Sequence, residues 1–197
     1  MNAIIPKDTR YVPFTQQKAC CVPTSINIVM YKLGIHLVPQ ELLGYQLGLI
    51  VSKKDKNLFW NARMGKEPKT GYGTQMLEKQ YEINLVFKKL KIPLKVINHP
   101  INNFKTKKEI ISYISDCVQK DKNVVVLLRS GILNNSDSTN GHACVIDRIY
   151  PSRDVIRLID PSANQPKWRE FKIDKFIKAV RLHPTGEGRF LELEKIY

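Results

Sequence analysis

The sequence predicts an α+β fold, with helices in its first part and strands in its second. Three observations carry this reading. Ile26, Val29, Met30 and Leu33 recur at i, i+3, i+4 and i+7, the single apolar stripe of an amphipathic helix. Asn123-Val124-Val125-Val126-Leu127-Leu128 is a continuous run rich in β-branched residues, as a central strand requires. His142–Tyr150 and Val155–Asp160 flank Pro151-Ser152-Arg153-Asp154 and read as a hairpin. The helical half spans about residues 1–122 and the sheet half about 123–197. A chain of 197 residues fits a single domain.

The other elements follow in order. Tyr11–Gln17 is extended, because the residue before Pro13 is biased away from helix. The first helix starts close to Cys21. Pro23 suits its first turn, where no N–H is needed, and Gly34 ends it as a left-handed cap. Pro39–Leu49 reads as a second helix. The polar stretch Val51–Thr74, with Gly65, Pro68, Gly71 and Gly73, reads as a long loop. Its Gly71-Tyr72-Gly73 segment reads as a connection rather than a cleft wall. Gln75–Leu90 is expected to be helical, Pro93–Asn98 a short strand, and Lys107–Lys120 a helix capped by Thr106. Gly131–Gly141 is a polar loop. Phe171–Val180 is amphipathic and fits either helix or strand.

Composition narrows the class. Hydrophobic residues make up 43% and charged residues 25%, so a core can form and the composition argues against disorder. The formal net charge of +14 admits an anionic partner. The lysines are scattered in short groups, such as Lys53-Lys54 and Lys105-Thr106-Lys107-Lys108. No zinc-finger spacing or aromatic-basic signature accompanies them, so they read as a solvated basic surface. The four cysteines, Cys20, Cys21, Cys117 and Cys144, suit neither a disulfide framework nor a zinc pair. Free thiols, no signal-peptide stretch and no membrane-length apolar run give a cytoplasmic protein as the expectation.

Four residues form a candidate catalytic set. A thiol attacks as its thiolate, and the positive end of a helix favours that form. Cys21 stands at such a helix start. His142 opens a strand after a polar loop, where a base can face a cleft. Asp160 closes the next strand and can orient the imidazole. If the hairpin pairs residues whose numbers sum to about 304, Asp160 lies opposite Cys144. His142 is then a diagonal neighbour on the same face, roughly 7–8 Å away. An odd sum without a bulge puts the two on opposite faces. Gln16 or Gln17, just ahead of Cys21, can supply a side-chain donor to an oxyanion, with Gln16 favoured.

These fragments resemble the papain-like cysteine peptidases, and most closely the bacteriocin-leader (double-glycine) peptidase branch. The matching text is Val12-Pro13-Phe14-Thr15-Gln16, Cys21-Val22-Pro23-Thr24-Ser25, Gly141-His142-Ala143-Cys144-Val145-Ile146 and Ile159-Asp160-Pro161. The Pro-Thr-Ser register selects Cys21 over Cys20. Val22 stands where the family has glycine, and Gln16 lies five positions before Cys21 where six is common. Residues 37–122 carry no match. The resemblance implies a papain-like fold, with the nucleophile helix packed against a C-terminal antiparallel sheet. It implies a thiol hydrolase acting on a peptide or isopeptide bond of a peptide or protein substrate, with no metal or cofactor. An amidase or transglutaminase-like enzyme, and a basic nucleic-acid-associated binding protein without catalysis, are the alternatives.

Overall fold

A computed structural model describes residues 6–58, 67–186 and 188–196. In chain order the elements are α1 (Cys21–Lys32), α2 (Gln40–Gln46), β1 (Ile50–Val51), β2 (Lys69–Thr70), α3 (Ile83–Lys89), β3 (Leu94–Pro100) and α4 (Lys107–Gln119). They continue with β4 (Asn123–Arg129), α5 (Ser130–Asn134), β5 (Gly141–Tyr150), β6 (Val155–Ile159), β7 (Trp168–Lys172), α6 (Ile173–Arg181) and β8 (Arg189–Lys195). Six strands make one antiparallel sheet in the order β3-β8-β4-β5-β6-β7. Strands β1 and β2 form a small parallel pair.

Local chemistry explains the elements that the sequence predicts. Pro23 sits in the first turn of α1, and Gly34 follows the helix at φ 65°. Thr106 and Glu109 form a reciprocal capping box on α4, satisfying N–H groups that the helix cannot. The apolar run of β4 is buried on both sides. Val125 and Leu127 join the cluster under α1, α2 and α3, whereas Val124, Val126 and Leu128 join the cluster under α4, α5 and α6. The fold is α+β, with helices on both faces of the sheet.

Several boundaries differ. The helix expected over Gln75–Leu90 is only Ile83–Lys89, because the Glu82 carboxylate caps it by accepting the N–H groups of Asn84 and Leu85. Phe171–Val180 is strand to Lys172 and helix from Ile173. The loop after β4 opens with the short helix α5. Part of the long loop, residues 59–66, lies outside the described residues. Helices and strands do not separate at residue 122: β3 comes from the first part and pairs with the C-terminal strand β8. Strand β8 also pairs with β4, which puts it inside the sheet.

Phe190 on β8 is fully buried and meets the rings of Phe104, Tyr113 and Phe176 at centroid distances of 5.6, 5.5 and 6.3 Å. Truncating it removes that packing and leaves a cavity. Phe190→Ala is expected to cost about 3–5 kcal/mol, read as a lower urea midpoint at an unchanged m-value.

Candidate active site

Cys21 is the first residue of α1 and is 7% exposed. First-turn N–H groups have no acceptor within their own helix, so they point toward this end. Cys20 is the N-cap residue. It is fully buried, and its Sγ lies 4.0 Å from the Gln40 carbonyl. Burial pushes the Cys20 thiol well above the usual range, which leaves Cys21 as the accessible thiol of the two.

The segment ahead of Cys21 is a strap tied to its surroundings at both ends. The Gln16 N–H donates to the Pro161 carbonyl at 2.8 Å. Gln40 joins strap to helix: its amide donates to the Thr15 carbonyl at 2.9 Å and accepts from the Gln17 N–H and the Thr24 hydroxyl, each at 2.8 Å. Gln16 is half-buried and Gln17 exposed. Gln40 was not legible as a site residue, because one glutamine at a helix start carries no pattern.

His142 and Asp160 are brought together. The imidazole Nε2 lies 2.8 Å from Asp160 Oδ1, with the two side chains 10% and 2% exposed. The register explains the meeting. Near the turn, Tyr150 pairs with Val155, Ile149 with Ile156 and Arg148 with Arg157, an odd sum. The register then shifts at Asp147. Ile146 pairs with Leu158 and Val145 with Ile159, which restores the sum of 304. The even register is therefore reached by a β-bulge, where two residues oppose one. Cys144, Ile146, Ile156 and Leu158 share a buried face as expected.

Asp160 is held from several directions. It accepts from the Ser162 N–H at 2.9 Å, so the Asp-Pro turn and the imidazole contact coexist. Arg169 Nη1 on β7 donates to its other oxygen at 2.8 Å. Burial alone raises the Asp160 pKa. The His142 ring, the Arg169 guanidinium and the Ser162 N–H outweigh it and hold the carboxyl well below the usual range. Burial opposes charge on His142. Cys144 beside the ring, and hydrogen bonds to Asp160, Cys144 and Cys21, still carry its pKa well above 6.5. Burial pushes the Cys144 thiol up to about 11, so it is neutral near neutral pH. Asp160 is thus the anion that supports the imidazolium. Arg169 was not legible as a partner of Asp160, because no spacing in the sequence links the two.

Cys21 and His142 open into one cleft of about 140 Å³. Tyr72 and Gly73 line it, as do His183 and Thr185. Tyr72 and Gly73 of the segment read as a connection therefore line the cleft, while Gly71 lies against Ile50. His183, which the sequence placed at an ordinary chain position, packs so close to Gly141 that a Cβ there would lie 2.9 Å from its Nε2. Tyr72 and His183 come from loops whose approach depends on tertiary folding. Val22 also lines the cleft.

Donor atoms of His142, Cys144 and Asp160 lie within 4.8 Å of one another. Arg169 stands 2.8 Å from the same carboxylate, and its fixed positive charge opposes a cation there. The donor set fits a hydrogen-bonded imidazole–carboxylate pair better than a metal centre.

No curated protein matches the sequence. A solved structure of a Bacillus anthracis protein, described as a C39-like peptidase, superposes with a TM-score of 0.56 at 16% identity. The match covers 94% of this chain and 96% of that one, and at this identity it establishes the fold. Residues 9–183 match the Peptidase_C39 like family, whose span takes in Gln16, Cys21, His142 and Asp160 together. On that match, and in agreement with its motifs, the chain belongs to the Peptidase_C39 like family.

Proposed function

We propose that the protein is a cysteine peptidase that cleaves a peptide or isopeptide bond through Cys21, His142 and Asp160. The observation that carries this reading is the 2.8 Å contact of His142 with Asp160 at the edge of a cleft shared with Cys21. Cys21 Sγ gives its proton to His142 and attacks the substrate carbonyl carbon, forming a C–S bond. His142 then protonates the leaving amine as the C–N bond breaks. Water, deprotonated by His142, releases the acyl group and restores the thiol. Asp160 keeps the imidazole oriented and supports its charge.

Gln16 and the Cys21 N–H are the donors to the oxyanion. The Gln16 Oε1 is buried with no hydrogen-bond partner among the described residues. A turn of the amide puts its Nε2 donor at that position. The strap bond to Pro161 fixes Gln16 beside the Asp160 turn, whereas Gln17 faces outward.

A substrate panel tests the reaction class. Purified protein is offered unstructured peptides, an isopeptide, a simple amide and a glutamine donor with an amine acceptor. The expected result is peptide or isopeptide hydrolysis that Cys21→Ala removes. Amine incorporation without hydrolysis, or hydrolysis that survives Cys21→Ala, contradicts the proposal.

A further inference from the structure

The bulge residue Asp147 is fully buried, yet it carries a carboxylate. That combination is costly unless every oxygen is bonded. Asp147 Oδ2 accepts from Arg157 Nε at 2.7 Å. Oδ1 accepts from the Arg10 N–H at 2.7 Å and the Thr9 hydroxyl at 3.2 Å. The Thr9 hydroxyl also receives the Trp168 indole N–H at 2.8 Å. Arg157 continues to Asp8 at 2.8 Å, and Asp8 accepts the Tyr150 hydroxyl at 2.7 Å. One carboxylate thus joins β5, β6 and the N-terminal strap at the point where the register changes.

That register has a consequence at the far end of the hairpin. The pairs beyond the bulge set Asp160 on the His142 face, and the pairs before it alone would set it on the other. Strand β5 is separately held by β4, through Val145 with Val125 and His142 with Leu128. A slip of β6 would therefore move Asp160 and leave His142 in place. The same carboxylate clips Thr9 and Arg10, and the strap runs on to Gln16, which is bonded to Pro161.

We propose that Asp147 is a positioning residue: it fixes the bulge that sets Asp160 against His142 and anchors the strap that carries Gln16. This rests on the proposed catalytic roles of those residues. Asp147 touches no reacting group; it acts through the placement of others. A buried charge used only for stability would need no coincidence with the register shift.

The test compares wild type, Asp147→Ala and Asp147→Asn. Asparagine keeps the shape and one acceptor, so it serves if the alanine variant does not fold. Three quantities are read: the rate of Cys21 alkylation by iodoacetamide, kcat on the hydrolysed peptide, and the alkaline limb of kcat/KM. The groups facing His142 are Asp160, Cys144, Cys21, Tyr72 and His183, with Arg169 behind Asp160. Only Asp160 is displaced by the substitution. The expected result is a fall in kcat on the order of 10²-fold for alanine, a smaller fall for asparagine, and an alkaline limb moved toward lower pH in both. A lower melting temperature with kcat and limb unchanged overturns the inference. Failure of wild-type Cys21 to react at all would instead sink the catalytic proposal beneath it.

Discussion

Replacing Cys21 by alanine is expected to lower kcat on the order of 10⁶-fold, and His142→Ala by a similar amount. The two losses do not add. A nucleophile without its base and a base without its nucleophile are equally idle, so the double variant should match either single one. Cys21 sits at the cleft edge of the cluster under α1, where alanine removes only the sulfur, and the His142 side chain lines the same cleft, so truncation leaves most of that packing in place. Circular dichroism and melting temperature should therefore stay near wild type while turnover disappears. Additive losses, with the double variant far below both singles, would mean that the two side chains act independently.

Asp160→Asn is the second large effect, expected on the order of 10⁴-fold in kcat. Asparagine fills the same space and keeps an acceptor for Ser162, but it removes the charge between His142 and Arg169. The pH dependence follows with a definite sign. His142 in the folded protein is raised above 6.5 against the burial penalty, by Cys144 beside it and by its hydrogen bond to Asp160. In the proposed mechanism the imidazolium gives its proton to the leaving amine, so kcat/KM should fall as pH rises through that raised value. In Asp160→Asn the limb should move down. Stability obeys the same linkage. The His142 contribution is full below 6.5 and fades as pH rises through the raised value. The Asp160 contribution is present above 3.8 and is lost as pH falls through its lowered value. Residual activity and stability are measured across pH for both proteins. An alkaline limb that does not move would detach Asp160 from His142.

Much of the scaffold was legible because local chemistry agrees with the global fold. The stripe of α1, the Thr106 cap of α4 and the β-branched run of β4 each sit where their residues dictate. Strand β8 was not legible. Glu192 and Glu194 interrupt its apolar positions, so no continuous apolar run marks it. In the fold Glu192 is 2% exposed and paired, with Lys122 reaching it at 2.6 Å from the turn before β4. A buried charge is visible in a sequence only when its partner is known.

The site divides along the same line. Cys21, His142 and Asp160 could be named as candidates from helix start, strand start and strand end, and the fold brings His142 and Asp160 into contact. The bulge could be anticipated as a condition on the register, but not located. Asp147 looks like a polar residue on a strand, and only its bonds to Thr9, Arg10 and Arg157 explain it. Tyr72, His183 and Arg169 reach the site from loops or a neighbouring strand, and no spacing links them to Cys21.

The most direct test of the central claim is site-resolved alkylation. The protein is treated with limiting iodoacetamide near neutral pH, and the occupancy of all four cysteines is read by peptide mass mapping. Burial raises the thiols of Cys20, Cys117 and Cys144, so they should stay unlabelled. The account predicts rapid labelling of Cys21 alone, and a large loss of that rate in His142→Ala. Labelling of another cysteine as fast as Cys21, or a Cys21 rate untouched by His142→Ala, would contradict it.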